Sequence, residues 1–299
     1  MLENKKYIIL LSLASVLIAS LLAETYSMIF ALVLIFSFGL LHGSNDIQII
    51  QKMTNFRKRD KIKYIMLYLL MVIIGLVLFL VFPRLALPFF ILISAYHFGE
   101  QHFQIEINSK KEYPILKIGL FFSYGIYLFS LLFFSQYESS NEIVSDFGSF
   151  WPEKSTIGYI LIISTFIAFT TVIISSKVKL LKNQAFFDEL IYLIIYVLVF
   201  NSVDLIVGFA IYFTFWHSLP SLKDQQKYLY ADNSITSFVN YFKKAWIYWV
   251  ISLVGLFAFI FFLYDYKHMY SLFFAFVAAI TFPHVVIMRK MFSDYGEKE

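Results

Sequence analysis

YIMLYLLMVIIGLVLFLVF, residues 64–82, is a run of 19 residues without a charge, and its reading decides the fold. At 1.5 Å per helical residue it reaches about 28 Å, close to the ~30 Å of bilayer hydrocarbon. Comparable stretches fill most of the chain, centred near 7–23, 26–46, 85–104, 115–134, 156–175, 186–200, 203–221, 245–264 and 269–288. With 60% hydrophobic and 15% charged residues over 299 positions, the composition exceeds the apolar content of soluble domains. The expectation is an all-α, polytopic integral membrane helical bundle of about ten transmembrane helices, a single transmembrane domain over residues 1–299. Asn201, Ser202 and Asp204 make the only break between the seventh and eighth stretches, and one broken span there would leave nine.

Charge sets the orientation. With the N-terminus inside, ten spans put 21 of the 24 Lys and Arg on the cytoplasmic side, leaving Arg84, Lys154 and Lys267 outside. The expectation is a multi-pass protein of the cell inner (cytoplasmic) membrane with both termini cytoplasmic. The same bias accounts for the net charge of +4, so no nucleic-acid partner is called for. Glu138, Glu142, Asp146 and Glu153 read as a solvated outer connection. Lys5 and Lys6 precede an apolar run with no clear small-x-small cleavage site before Glu24, which reads as an uncleaved first span. The absence of cysteine excludes disulfides, thiolate-ligated zinc, iron–sulfur clusters and a catalytic thiol, so a metal here takes nitrogen or oxygen ligands.

Five of the six histidines lie in apolar runs: His42, His97, His102, His217 and His284. In the ten-span topology all five fall within roughly 10 Å of the cytoplasmic ends of even-numbered spans. A lone intramembrane histidine is more often a hydrogen-bonded packing residue, but five in one layer point to a shared metal. His268, beside Lys267 in a short outer loop, reads as an ordinary exposed histidine. Asp46, four residues after His42, and Glu100, three after His97, share helical faces with those rings. Each reads equally as an acceptor that orients the imidazole or as a carboxylate snorkelling to the interface. His97 and His102 stand about 140° apart on an ideal helix, so both reach one metal only if the helix unwinds or bulges, which Gly99 eases. Pro220 and Pro283 flank His217 and His284 and mark either plain kinks or site-forming ones.

Most of the 36 Phe, 21 Tyr and 4 Trp serve packing and interfacial belts; Tyr96 and Trp216, each adjacent to a histidine, are the candidates for a substrate-binding wall. No phosphate loop or serine-hydrolase elbow is present, and no catalytic side chain is assigned beyond the metal ligands.

Read together, Leu41-His42-Gly43-Ser44-Asn45-Asp46, Tyr96-His97-Phe98-Gly99, Phe215-Trp216-His217-Ser218 and Phe282-Pro283-His284 carry HGxxD-like, HFG, WHS and PH signatures in order. In these the chain resembles the Brp/Blh family of membrane-bound β-carotene 15,15′-dioxygenases. The resemblance implies a non-haem Fe(II) held by histidines, and cleavage of the central double bond of β-carotene by O₂ into two all-trans-retinal. It also implies lipid-embedded substrate and product, the retinal being delivered to a microbial rhodopsin. A metal-ligand role carries over to His42, His97, His217 and His284. The family's third motif continues to an arginine and a second histidine, where this chain has Pro220 and Ser221. His102 is the candidate to supply that nitrogen.

Three other readings stay open. A transporter would spread polar groups through the full membrane depth, whereas here they cluster at one end. A two-metal desaturase needs HxxxH and HxxHH boxes, which are absent from the chain. A non-catalytic carotenoid or retinal carrier would need no metal.

Overall fold

The computed structural model describes residues 2–54, 60–108, 113–181, 186–262 and 269–296; His268 lies outside them. The chain forms α1 (Leu2–Leu21), α2 (Glu24–Leu34), α3 (Asp46–Thr54), α4 (Lys61–Val81), α5 (Pro83–Phe103), α6 (Pro114–Ser135) and α7 (Tyr137–Asp146). There follow α8 (Lys154–Lys177), α9 (Phe186–Ser202), α10 (Leu205–Ile211), α11 (Leu219–Tyr230), α12 (Ile235–Phe262) and α13 (Met269–Gly296). Two π-helical segments, Ile35–Gly39 and Tyr212–Ser218, interrupt the α geometry. Extended pairing among the described residues is confined to one isolated bridge, Ile107 with Leu181. Prolines open α5 and α6, where a missing N–H costs nothing because first-turn donors have no partner within the helix.

Each of the ten apolar stretches lies on helix, and six helical stretches of the described residues are long and apolar enough to cross a membrane. These are Lys61–Val81, Pro114–Ser135, Lys154–Lys177, Leu205–Tyr230, Ile235–Phe259 and Leu272–Asp294. The count of ten spans is therefore not confirmed. α9 is 17 residues long, Glu24–Gly39 is a shorter apolar helix, and α5 carries Arg84, Glu100 and two histidines. The break at Asn201–Asp204 is real: α9 ends at Ser202 and Asp204 is extended. The acidic connection read as a loop holds α7.

By packing, the chain divides into two compact units, 1–35 with 94–142 and 151–220, and 36–93 with 143–150 and 221–299. In the first, α6 packs on α8 and α9, α1 packs on α9, and α10 is buried along its whole length. Gly99 of α5 and Gly125 of α6 let two backbones touch. A Cβ on Gly99 would stand 1.9 Å from the Phe121 carbonyl oxygen, and one on Gly125 would stand 1.8 Å from that of Ala95. Small residues at membrane helix crossings allow this approach, which fixes the stretch of α5 that bears His97.

In the second unit α13 packs on α4 and α3. Gly75 faces Ala279, Phe79 and Ala86 pack with Ala275 and Ala278, and Ile49, Tyr228, Met288 and Met291 form a further core. Leu67, Leu70, Ile73, Ile74 and Val77 of α4 are exposed, as are Ile247, Ile251 and Val254 of α12. Such continuous apolar faces suit hydrocarbon rather than water.

Candidate functional site

In the second unit the histidine pair is His42 and His284. α2 passes into the π-helical segment Ile35–Gly39, and residues 42–45 form a turn before α3 opens at Asp46. His42 Nδ1 contacts the Gly39 carbonyl. His284, one residue after Pro283 within α13, places Nδ1 2.9 and 3.1 Å from the two carboxylate oxygens of Asp46. The two rings stand perpendicular with centroids 4.7 Å apart, and both are buried. Tyr68 donates a 3.0 Å hydrogen bond to Asp46 Oδ2. With oxygen acceptors at Nδ1, each ring has its Nε2 as the atom it would offer to a metal. Asp46 thus orients an imidazole, but that of His284 rather than His42. The turn at 42–45 breaks the i, i+4 face on which the sequence expectation relied.

The pair in the first unit is His97, on α5, and His217, within Tyr212–Ser218. Their centroids are 4.9 Å apart with planes at 76°, and His97 is completely buried. His217 packs against Phe98 at 4.4 Å and lies nearly parallel to Phe213 at 5.5 Å. Just past the widened turn, Pro220 has no N–H to give to the carbonyls one turn back, and within the turn the Ser218 hydroxyl donates 2.8 Å to the Phe213 carbonyl. Gly99, expected to ease a bulge, sits in unbroken α5; the helix needs it for its contact with α6.

The structure does not bring His102 to this pair. Its Nε2 is 2.9 Å from Glu189 Oε1, and its ring stacks on Tyr124 at 4.4 Å. Tyr124 donates 2.8 Å to the other oxygen of Glu189. With α5 regular, the five-residue spacing sends His97 and His102 to different faces, as the helical angle requires. Glu100 accepts from Tyr96 at 3.4 Å, and the Tyr96 ring meets Phe121 edge-on. Trp216 is buried, donates 2.9 Å to the Ser12 hydroxyl and packs on Tyr192 and Tyr196, which fastens the segment bearing His217 to α1 and α9. Sequence reasoning missed Glu189. The signal was present as the acidic pair Asp188-Glu189 at the head of an apolar run, where a carboxylate is costly unless it has a partner.

An imidazole nitrogen binds a first-row divalent ion at about 2.1 Å, which puts two neighbouring ligand rings roughly 4.5 to 5.3 Å apart between centroids. Spacings of 4.7 and 4.9 Å fit that requirement in both pairs. Among the described residues no group of three or more His, Asp or Glu is placed to hold a metal ion, so each unit offers two imidazoles.

His217 and His284 lie in helices long and apolar enough to cross a membrane, each beside a second buried imidazole, and the several apolar helices fit a membrane protein. The sequence matches the beta-carotene 15,15′-dioxygenase family over residues 33–292, and the chain belongs to that family. Membership supports a carotenoid dioxygenase activity in general terms. No curated protein and no solved structure matches it.

Proposed function

We propose that the chain splits the central double bond of β-carotene with O₂ to give two all-trans-retinal, using Fe(II) ligated by His42, His97, His217 and His284. The observation that carries this reading is the pairing of the four motif histidines at ligand spacing, with Asp46 and the Gly39 carbonyl at the Nδ1 atoms of one pair. Imidazole also suits copper, zinc and nickel, so the choice of iron rests on the family rather than on ligand type. When bound, the ion supplies activation of O₂ beside the polyene.

The side chains of the protein do the rest. All four imidazoles are buried, and a metal would bind them in their neutral form. Asp46 holds His284 in one orientation and offsets part of the positive charge that an all-histidine shell leaves in place. The apolar surroundings exclude water and align the symmetric substrate on its middle bond. β-Carotene is insoluble in water and enters from the bilayer; retinal leaves the same way, toward a rhodopsin in the same membrane. The protein sits in the inner membrane with both termini cytoplasmic.

Expression in cells that accumulate β-carotene, with retinal and apocarotenals separated by chromatography, tests the reaction. Retinal should appear with loss of orange colour and vanish with His217→Ala or His284→Ala. Unchanged β-carotene in cells that contain folded, iron-loaded protein would sink central cleavage. Iron analysis of the purified protein tests the ligands: substitution in either pair should lower the content. The second reading is a carotenoid carrier, favoured by Ser221 standing where the family's third motif continues to a second histidine. Such a protein would purify with bound pigment and without iron.

A further inference from the structure

The turn that carries His42 is gripped from one side by a single tyrosine. Tyr241 of α12 is completely buried, and its hydroxyl stands 2.8 Å from Gln225 Oε1, 3.3 Å from the carbonyl of His42 and 3.4 Å from that of Leu41. The return contact comes from the turn itself. Asn45, also completely buried, donates its amide N–H to the backbone carbonyl of Tyr241 at 3.1 Å. Behind Tyr241 the chain of contacts continues, since Gln225 Nε2 donates to the buried Ser221 hydroxyl at 3.1 Å. Side chain meets backbone in both directions, an arrangement that fixes position as well as distance. All six residues belong to the second unit.

The local backbone needs such a grip. Residues 42–45 form a turn between the π-helical Ile35–Gly39 and α3, so His42 keeps a helical N–H bond to the Phe38 carbonyl at 3.3 Å while the regular ladder breaks just beyond it. A buried turn must satisfy its carbonyls from elsewhere. The Leu41 carbonyl accepts from the Ser44 N–H at 3.1 Å, and the His42 carbonyl faces the Tyr241 hydroxyl at 3.3 Å.

We infer that Tyr241 and Asn45 form a reciprocal clamp, backed by Gln225 and Ser221, that positions the His42 imidazole for metal binding. Tyr241 is a positioning residue: it acts through the backbone of residues 41 and 42 and supplies no ligand. The inference rests on the proposed metal-binding reading and assigns a role to the site that has serine in place of the family's histidine. Ser221 there anchors a hydrogen-bond chain to the first motif.

Cobalt(II) titration of the purified full-length protein, followed by visible absorption, is the test, because the bands report ligand geometry. Tyr241→Phe keeps the ring and removes only the hydroxyl. It should weaken cobalt binding about tenfold, on the scale set by loss of groups that orient metal ligands. It should also change the band shape, while the metal-free protein stays folded and melts cooperatively. Asn45→Ala removes the other arm and should do the same. The two effects combined should fall short of additive, because both act on one turn. Wild-type affinity and an unaltered spectrum in both variants would overturn the clamp while leaving the metal reading intact. A wild-type protein that takes up no cobalt would overturn the metal reading, and the clamp's role with it.

Discussion

His42 and His284 contact a backbone carbonyl and a carboxylate through their Nδ1 atoms, whereas His97 and His217 sit among phenylalanine rings beside a helix turn widened by one residue. The first arrangement is directional: it sets the ring's rotation and its tautomer. In the second, ring contacts set where His217 lies by filling the space around it. Substitutions should therefore act on the two pairs differently, the directional pair responding to isosteric polar changes and the steric pair to changes of volume.

The largest effect is expected at the crossing that holds α5 in place. Gly125→Ala puts a methyl group 1.8 Å from the Ala95 carbonyl oxygen, a contact that only a backbone shift can relieve. Overpacking of this kind costs about 3 kcal/mol or more. Loss of monodisperse protein in size-exclusion chromatography should follow. Gly75→Ala is the control in the other unit, where the nearest atoms are 3.0 Å away, and about 1 kcal/mol is expected there. Equal melting points for the two variants would break the claim that the steric pair depends on close backbone contact.

Next comes the directional pair. Asp46→Ala removes both acceptors from His284 Nδ1 and from the Tyr68 hydroxyl. Loss of a carboxylate that orients a ligating histidine typically lowers metal affinity by about 10- to 100-fold. Asp46→Asn retains one acceptor oxygen and should fall between this and the wild type. Cobalt titration reads both, and an Asp46→Ala variant that binds as tightly as wild type would remove the orienting role.

Phe213→Leu addresses the steric pair directly by taking away the ring that lies nearly parallel to His217. Aromatic contacts of this type contribute about 0.5–1.5 kcal/mol, so metal affinity should fall only about 2- to 10-fold. A loss larger than that from Asp46→Ala would invert the comparison.

Membrane-length apolar runs made the helices legible in the sequence, because span length and composition carry that signal without tertiary context. The pairing of the histidines was not legible, since it depends on which helices pack together. Asp46 shows the limit most sharply. Spacing of four residues assigned it to His42, but the intervening turn redirects the carboxylate to a ring 238 positions away in sequence. The two π-helical segments were missed for a related reason: each shifts side chains around the axis without changing the hydrophobic pattern. Gly99 was read as a source of flexibility when its missing side chain, not its freedom, is what α5 needs.

His102 gives the smallest expected effect on metal and the cleanest test of that reassignment. Its Nε2 faces Glu189, whose second oxygen accepts from Tyr124, so the histidine completes a buried cluster of α5, α6 and α9. A residue committed in this way contributes to stability rather than to ligation. His102→Gln keeps a donor for Glu189 and should leave iron content and cobalt affinity at wild-type values. Its melting point should fall by an amount equivalent to about 1–2 kcal/mol, the usual cost of a disturbed buried hydrogen bond. Glu189→Gln should lower the melting point similarly, because it keeps an acceptor for Tyr124 but presents an amide to His102. If His102→Gln instead lost the metal and Glu189→Gln did not, the fifth histidine would be a ligand after all. The four motif histidines would then be an incomplete shell.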